Sequence, residues 1–105
     1  MFRRRFLALP WIAAARSEDD ALSGARRRID AVDQRLVALL NERAKIVDEV
    51  SRIKKARHLP VSDPNRFQEV LDRAASYSKG PLPQDAVKRI YERLVEVMQS
   101  WEATR

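Results

Sequence analysis

Four basic side chains and one acid stand at separations that could gather them around a single small anion. Arg43 occupies one place in a seven-residue series, Leu22, Ile29, Leu36, Arg43, Val50, whose other members are apolar. A cation facing a helical core is costly unless water or an anion meets it. Snorkelling or an acidic partner would explain Arg43 blandly. Lys54 lies eleven residues on, close to three full turns, so the two share a helix face roughly 16 Å apart along the axis. Arg66 takes the third helical position after Asp63, beside a helix N-terminus that itself favours anions. Arg26 precedes Arg43 by seventeen residues. Taken singly, Arg26, Lys54 and Arg66 each read as solvated surface charges. Cysteine is absent and His58 is the single histidine. That excludes a disulfide framework, a thiolate zinc site, a cysteine nucleophile and a multi-histidine metal site. Any chemistry falls to Arg, Lys, Asp, Glu and the backbone.

These residues need helices to position them. A second seven-residue series, Ala25, Val32, Leu39, Ile46, Ile53, is offset from the first by three, a heptad spacing. No Pro or Gly interrupts it after Gly24. Ser17, Asp19 or Asp20 can cap the start. The helix should end near Arg57, before the Leu59-Pro60 break. Such a helix is roughly 55 Å long, whereas a compact domain of about 90 residues has a radius of gyration near 12 Å. It must overhang its own globule, and the economical cover for its seam is a second copy of the chain. Side chains do not bridge seventeen residues of helix, so Arg26 joins Arg43 only from an antiparallel partner chain.

Asp63 is a good N-cap and Pro64 suits the first helical position of a second helix. Phe67, Val70, Leu71 and Ala74 form its apolar face, and Gly80, Pro81 and Pro83 follow its end. A third helix is expected from about Pro83 to Glu102, with Val87, Ile90, Tyr91, Leu94, Val97, Met98 and Trp101 at helical spacing. With no strand signal, the expectation is an all-α fold of three helices: long, short and medium.

Composition agrees. At 45% hydrophobic and 34% charged residues, a folded core is expected rather than disorder. Aromatics at 7% and two glycines argue against a strand-and-turn fold. The net charge is +6, but three of those charges are Arg3, Arg4 and Arg5 at the N-terminus. The remainder is an ordinary surface, so nucleic acid is not an expected partner. Behind that basic head, Phe6 to Ala15 is an apolar run of ten, and Ala13 and Ala15 are small residues two apart. Ten residues fall short of the roughly 20 that span a bilayer. Residues 1–15 read as an export signal rather than a stable membrane anchor, with residues 16–105 as a periplasmic or secreted domain. The alternative is a cytoplasmic extension.

The run Arg26-Arg27-Arg28-Ile29-Asp30-Ala31-Val32-Asp33, followed by Leu36-Val37-Ala38-Leu39-Leu40-Asn41-Glu42-Arg43, resembles the first helix of the all-helical (type II) chorismate mutases. Lys54, Pro60-Val61, Asp63, Arg66 and Val70-Leu71 follow at that family's spacing. The resemblance covers about residues 22–102 and rests on the ordered set rather than on any one stretch. It implies an intertwined homodimer with shared sites, chorismate as substrate and prephenate as product, and no cofactor or metal. Chorismate is a dicarboxylate, to which bidentate arginine contacts are suited.

By the resemblance, Arg26 of the partner chain and Arg43 hold the two carboxylates. Arg66 assists binding or orients its neighbours. Lys54 donates to a carboxylate and to the ether oxygen, and Asp63 meets the ring hydroxyl. A second ether-oxygen donor is expected near the end of the third helix, with Glu102 favoured and Gln99 its rival. Two residues depart from the family's pattern. Phe67 stands where a Glu is common, and Met98 where a small hydroxyl residue is frequent. An apolar residue after that arginine also resembles the isochorismate-pyruvate lyases of salicylate synthesis. That activity is the alternative within enzymes. Outside them stands a non-catalytic helical dimerisation or nucleic-acid-binding module, for which no groove-reading motif appears.

Overall fold

The computed structural model describes residues 10–105, with side chains from residue 17 onward. It has three helices in the expected order: α1, Pro10–Ala56; α2, Pro64–Tyr77; α3, Gln84–Ala103. No strand occurs among the described residues.

Helix α1 begins earlier than its polar residues suggest. Ser17, Asp19 and Asp20, expected as caps, lie inside it. The helix is already formed at Pro10, the first described residue. The following Ile-Ala-Ala-Ala run is rich in the best helix former. No break separates residues 15 and 16. The first nine residues of the expected export signal lie outside the described residues.

The chain divides into two compact units, residues 1–41 and 42–105. In the first, Leu22, Ile29, Val32, Leu36 and Leu39 are all exposed, an apolar stripe along α1. The second unit holds the rest of α1 together with α2 and α3. Its buried residues are Ser51 of α1, Leu71, Ala74 and Ala75 of α2, and Val95 and Met98 of α3. Helices α2 and α3 pack directly on one another. A solvent-exposed ion pair, Lys88 Nζ to Asp72 Oδ1 at 2.8 Å, joins them at the surface, where such pairs contribute little.

The helix ends are built from backbone bonds. At the C-terminus of α1, the Leu59 N–H donates to the Lys54 carbonyl at 2.8 Å and the His58 N–H to the Lys55 carbonyl at 3.3 Å. This is the Schellman arrangement, which needs a left-handed residue between its two donors and usually takes glycine. His58 fills that place, with φ of 55°. Helix α2 starts as its sequence indicates. The Asp63 carboxylate accepts from the Arg66 N–H at 3.1 Å, and Pro64 takes the first position. After α2, Gly80 adopts φ of 92°, which a side chain would strain.

The left-handed residue yields a test. A non-glycine residue there carries about 1–2 kcal/mol of strain, partly offset by the extra freedom glycine gives the unfolded chain. His58→Gly should therefore stabilise the chain by about 0.5–1 kcal/mol. Urea unfolding of the two proteins checks it, read as a higher midpoint at unchanged slope.

Candidate active site

A cavity of about 300 Å³ lies within the second unit. Such a volume is at the small end of ligand pockets and suits one small molecule. Arg43, Lys54 and Arg66 line it, together with two acids, Asp63 and Glu102, and Gln99. The remaining wall is apolar and includes Val61, Phe67, Val70, Val95 and Met98. Three cations against two carboxylates leave the cavity positive and suited to an anion.

Helix α1 presents Arg43 and Lys54 from the same side, as their eleven-residue separation requires. Both are half-buried. Arg43 Nη1 donates to the thioether sulfur of Met98 at 3.0 Å. Lys54 Nζ donates to the Val61 carbonyl at 3.2 Å. Neither cation forms an ion pair among the described residues. Arg43 thus neither pairs with an acid nor sits fully in water; it lies against a neutral, weak acceptor. Lys54 is tied at two points, since its carbonyl also accepts from Leu59 in the helix-ending bond.

Arg66 is held differently. It stands on the first turn of α2, where its N–H is the donor that Asp63 caps. Its guanidinium is ion-paired with Glu69, which also meets Arg73 at 3.3 Å. Part of its charge is already answered. Asp63 therefore does two things: it fixes the first turn of α2 and puts a carboxylate on the cavity wall.

On α3, Gln99 and Glu102 lie three residues apart on one face, and both reach the cavity. Glu102 is half-buried and Gln99 exposed. The last turn is braced against α1 by Arg105, whose Nε lies 3.3 Å from Asp48 Oδ1. The Arg105 guanidinium also sits 4.7 Å from the centre of the Trp101 ring, a cation–π distance.

Six of the seven site residues expected from the sequence therefore line one cavity: Arg43, Lys54, Asp63, Arg66, Glu102 and its rival Gln99. Arg26 belongs to the first unit, is exposed on α1 and is absent from this lining. Two contacts had no sequence signal. Nothing in the residue pattern joins Met98 to Arg43 across 55 positions, or Lys54 to the Val61 carbonyl. No group of three His, Cys, Asp or Glu side chains able to hold a metal occurs among the described residues. The arrangement can fix a small anion with two directed cations and place a further polar group, Gln99 or Glu102, beside it.

Known proteins share both the sequence and the geometry. Residues 25–103 match the family described as chorismate mutase type II. A bifunctional chorismate mutase/prephenate dehydratase from Aquifex aeolicus is 32% identical over 87 residues, which are 79% of this chain and 24% of that protein. Another, from Stutzerimonas stutzeri, is 34% identical over 84 residues, 75% of this chain and 23% of that protein. The chain thus spans about a quarter of the length of these relatives. The form II structure of chorismate mutase from Thermus thermophilus superposes with a TM-score of 0.74 at 26% identity, covering 78% of this chain and 93% of that one. With the family match running from the first unit to the end of α3, the chain belongs to the type II chorismate mutase family.

Proposed function

We propose that this chain rearranges chorismate to prephenate. The observation that carries the reading is the pair Arg43 and Lys54, held on one cavity wall with no ion-pair partner among the described residues. A dicarboxylate supplies the anion they lack. The reaction is an intramolecular [3,3] rearrangement: the ether C–O bond breaks as a C–C bond forms. Its demands on the protein are shape and charge. Arg43 binds a carboxylate in the fork geometry that guanidinium allows. Lys54 donates to a carboxylate and to the ether oxygen, where negative charge grows as the C–O bond lengthens. The apolar wall of Val61, Val70 and Val95 confines the enolpyruvyl arm over the ring, a positioning contribution. Asp63 meets the ring hydroxyl, and Arg66, shared with Glu69, orients the carboxylate side. A second donor to the ether oxygen comes from α3, with Glu102 favoured and Gln99 the alternative.

The active form in this proposal is a homodimer in which Arg26 of one chain completes the site of the other. The exposed stripe Leu22, Ile29, Val32, Leu36 and Leu39 supports it, because an uncovered apolar seam of this length favours association. The basic head, apolar run and Ala13/Ala15 pair support export to the periplasm or beyond. Prephenate serves aromatic amino acid synthesis. Phe67 on the cavity wall keeps a second reading in view, the lyase that splits isochorismate into salicylate and pyruvate. Incubating the purified protein with each compound separately decides between them. Prephenate from chorismate supports the mutase, and pyruvate from isochorismate without prephenate replaces it with the lyase. No product from either leaves a helical binding module.

Three tests by substitution follow. Arg43→Ala and Lys54→Ala should each lower kcat/KM by 10²–10³, about 3–4 kcal/mol, with unchanged helical circular dichroism. Arg43→Leu that keeps activity and raises stability would reduce Arg43 to a packing residue. Mixed and refolded together, inactive Arg26→Ala and Arg43→Ala chains should regain activity, since one site of a mixed dimer receives both intact arginines. Failure after proven subunit exchange argues against shared sites. Glu102→Gln should retain more activity than Glu102→Ala, because an amide can donate a hydrogen bond and a methyl group cannot. If both match wild type, the donor role passes to Gln99.

A further inference from the structure

Met98 is buried on α3, 9% exposed, with its sulfur 3.0 Å from Arg43 Nη1. Among the described residues no acid pairs with Arg43: Asp63 and Glu102 line the same cavity without an ion pair to it, and two acids outside that lining are engaged with other cations. Asp48 meets Arg52 at 3.7 Å and Arg105 at 3.3 Å, and Glu69 meets Arg66 and Arg73. A carboxylate in place of Met98 would answer the guanidinium's charge and compete with an incoming anion. A wholly apolar side chain would leave the guanidinium without a directed contact. A thioether does neither: it is a weak, polarisable, uncharged acceptor. It takes one of the five guanidinium N–H groups and leaves the other four and the full charge free.

From this contact we propose that Met98 is a positioning residue, whose sulfur fixes the orientation of the Arg43 guanidinium for a substrate carboxylate without neutralising it. The proposal rests on the chorismate mutase reading for the identity of that carboxylate. It assigns a function to the residue that otherwise only departs from the family's small hydroxyl. Met98 acts on ground-state binding through Arg43, while Lys54 and the donor on α3 act at the breaking bond. Loss of the sulfur should therefore appear in KM more than in kcat.

The chain has two methionines, Met1 and Met98. Biosynthetic replacement of methionine by norleucine thus exchanges one internal sulfur for a methylene at nearly constant shape. The expected result is a KM for chorismate raised roughly 3- to 10-fold, the worth of one modest hydrogen bond, with kcat and thermal midpoint little changed. Met98→Leu should behave likewise. Met98→Gln, which returns an uncharged acceptor at similar reach, should restore KM. An independent readout is the ¹⁵N spectrum of the arginine side chains, with Arg43 assigned through Arg43→Lys. Its guanidinium should rotate slowly in the methionine protein and freely in the norleucine protein. An unchanged KM, or an unchanged Arg43 signal, in the norleucine protein overturns the proposal. If the methionine protein converts neither chorismate nor isochorismate, the functional reading fails, and the Arg43 signal alone then decides whether Met98 orients it.

Discussion

Two cations left without counter-charge are the constraint around which the second unit is arranged. Removing a guanidinium and an ammonium from bulk water is costly, and the usual remedy is a carboxylate partner. Here Arg43 and Lys54 are half-buried and meet a thioether and a backbone carbonyl instead. Those acceptors stabilise a donor's direction while leaving its charge. Other acids of the unit serve the scaffold, Asp48 with Arg52 and Arg105, Glu69 with Arg66 and Arg73, and one oxygen of Asp63 at the start of α2, while Glu102 lines the cavity without an ion pair. Site and scaffold thus share one allocation of charge, and what the scaffold withholds is what the proposed dicarboxylate substrate would supply.

Chain reversal between α1 and α2 makes that allocation mechanically firm. The Schellman bonds stop α1 just beyond Lys54, and the left-handed His58 turns the chain so that the Val61 carbonyl comes within reach of Nζ. Two residues later, Asp63 and Pro64 restart the helix and set Arg66 on its first turn. Three of the cavity's polar residues are therefore placed by helix ends, whose geometry is set by backbone bonds, rather than by packing of a large core. The core is small, and α2 brings two alanines, Ala74 and Ala75, to its buried face.

Most of this is open to sequence reasoning where a local rule applies. The Asp63-Pro64 start is a capping rule, the common face of Arg43 and Lys54 is helix arithmetic, and the α3 face follows from its apolar spacing. The start of α1 differs from expectation, because Ser17, Asp19 and Asp20 are good caps in isolation while the alanine run before them continues the helix. The turn at His58 carries no glycine to announce it. The partners of Arg43 and Lys54 are not legible at all, since a weak acceptor such as a thioether or a carbonyl leaves no charge pattern in a sequence. Gln99 and Glu102 stay tied for a related reason: residues three apart on a helix share a face, and both reach the cavity.

The same charge arrangement links binding to folding. An anion that binds the folded chain and not the unfolded one adds stability that grows with its concentration relative to its dissociation constant. In this chain it would also supply a counter-charge to Arg43 and Lys54, which form no ion pair among the described residues. A sequence selected for stability alone would place an acid or a leucine at one of these positions; replacing buried charge by apolar side chains is often neutral or stabilising. Keeping Arg43 in an apolar seam, against a sulfur instead of a carboxylate, is a cost to the fold that the proposed function accounts for, since an anion entering the cavity would offset it.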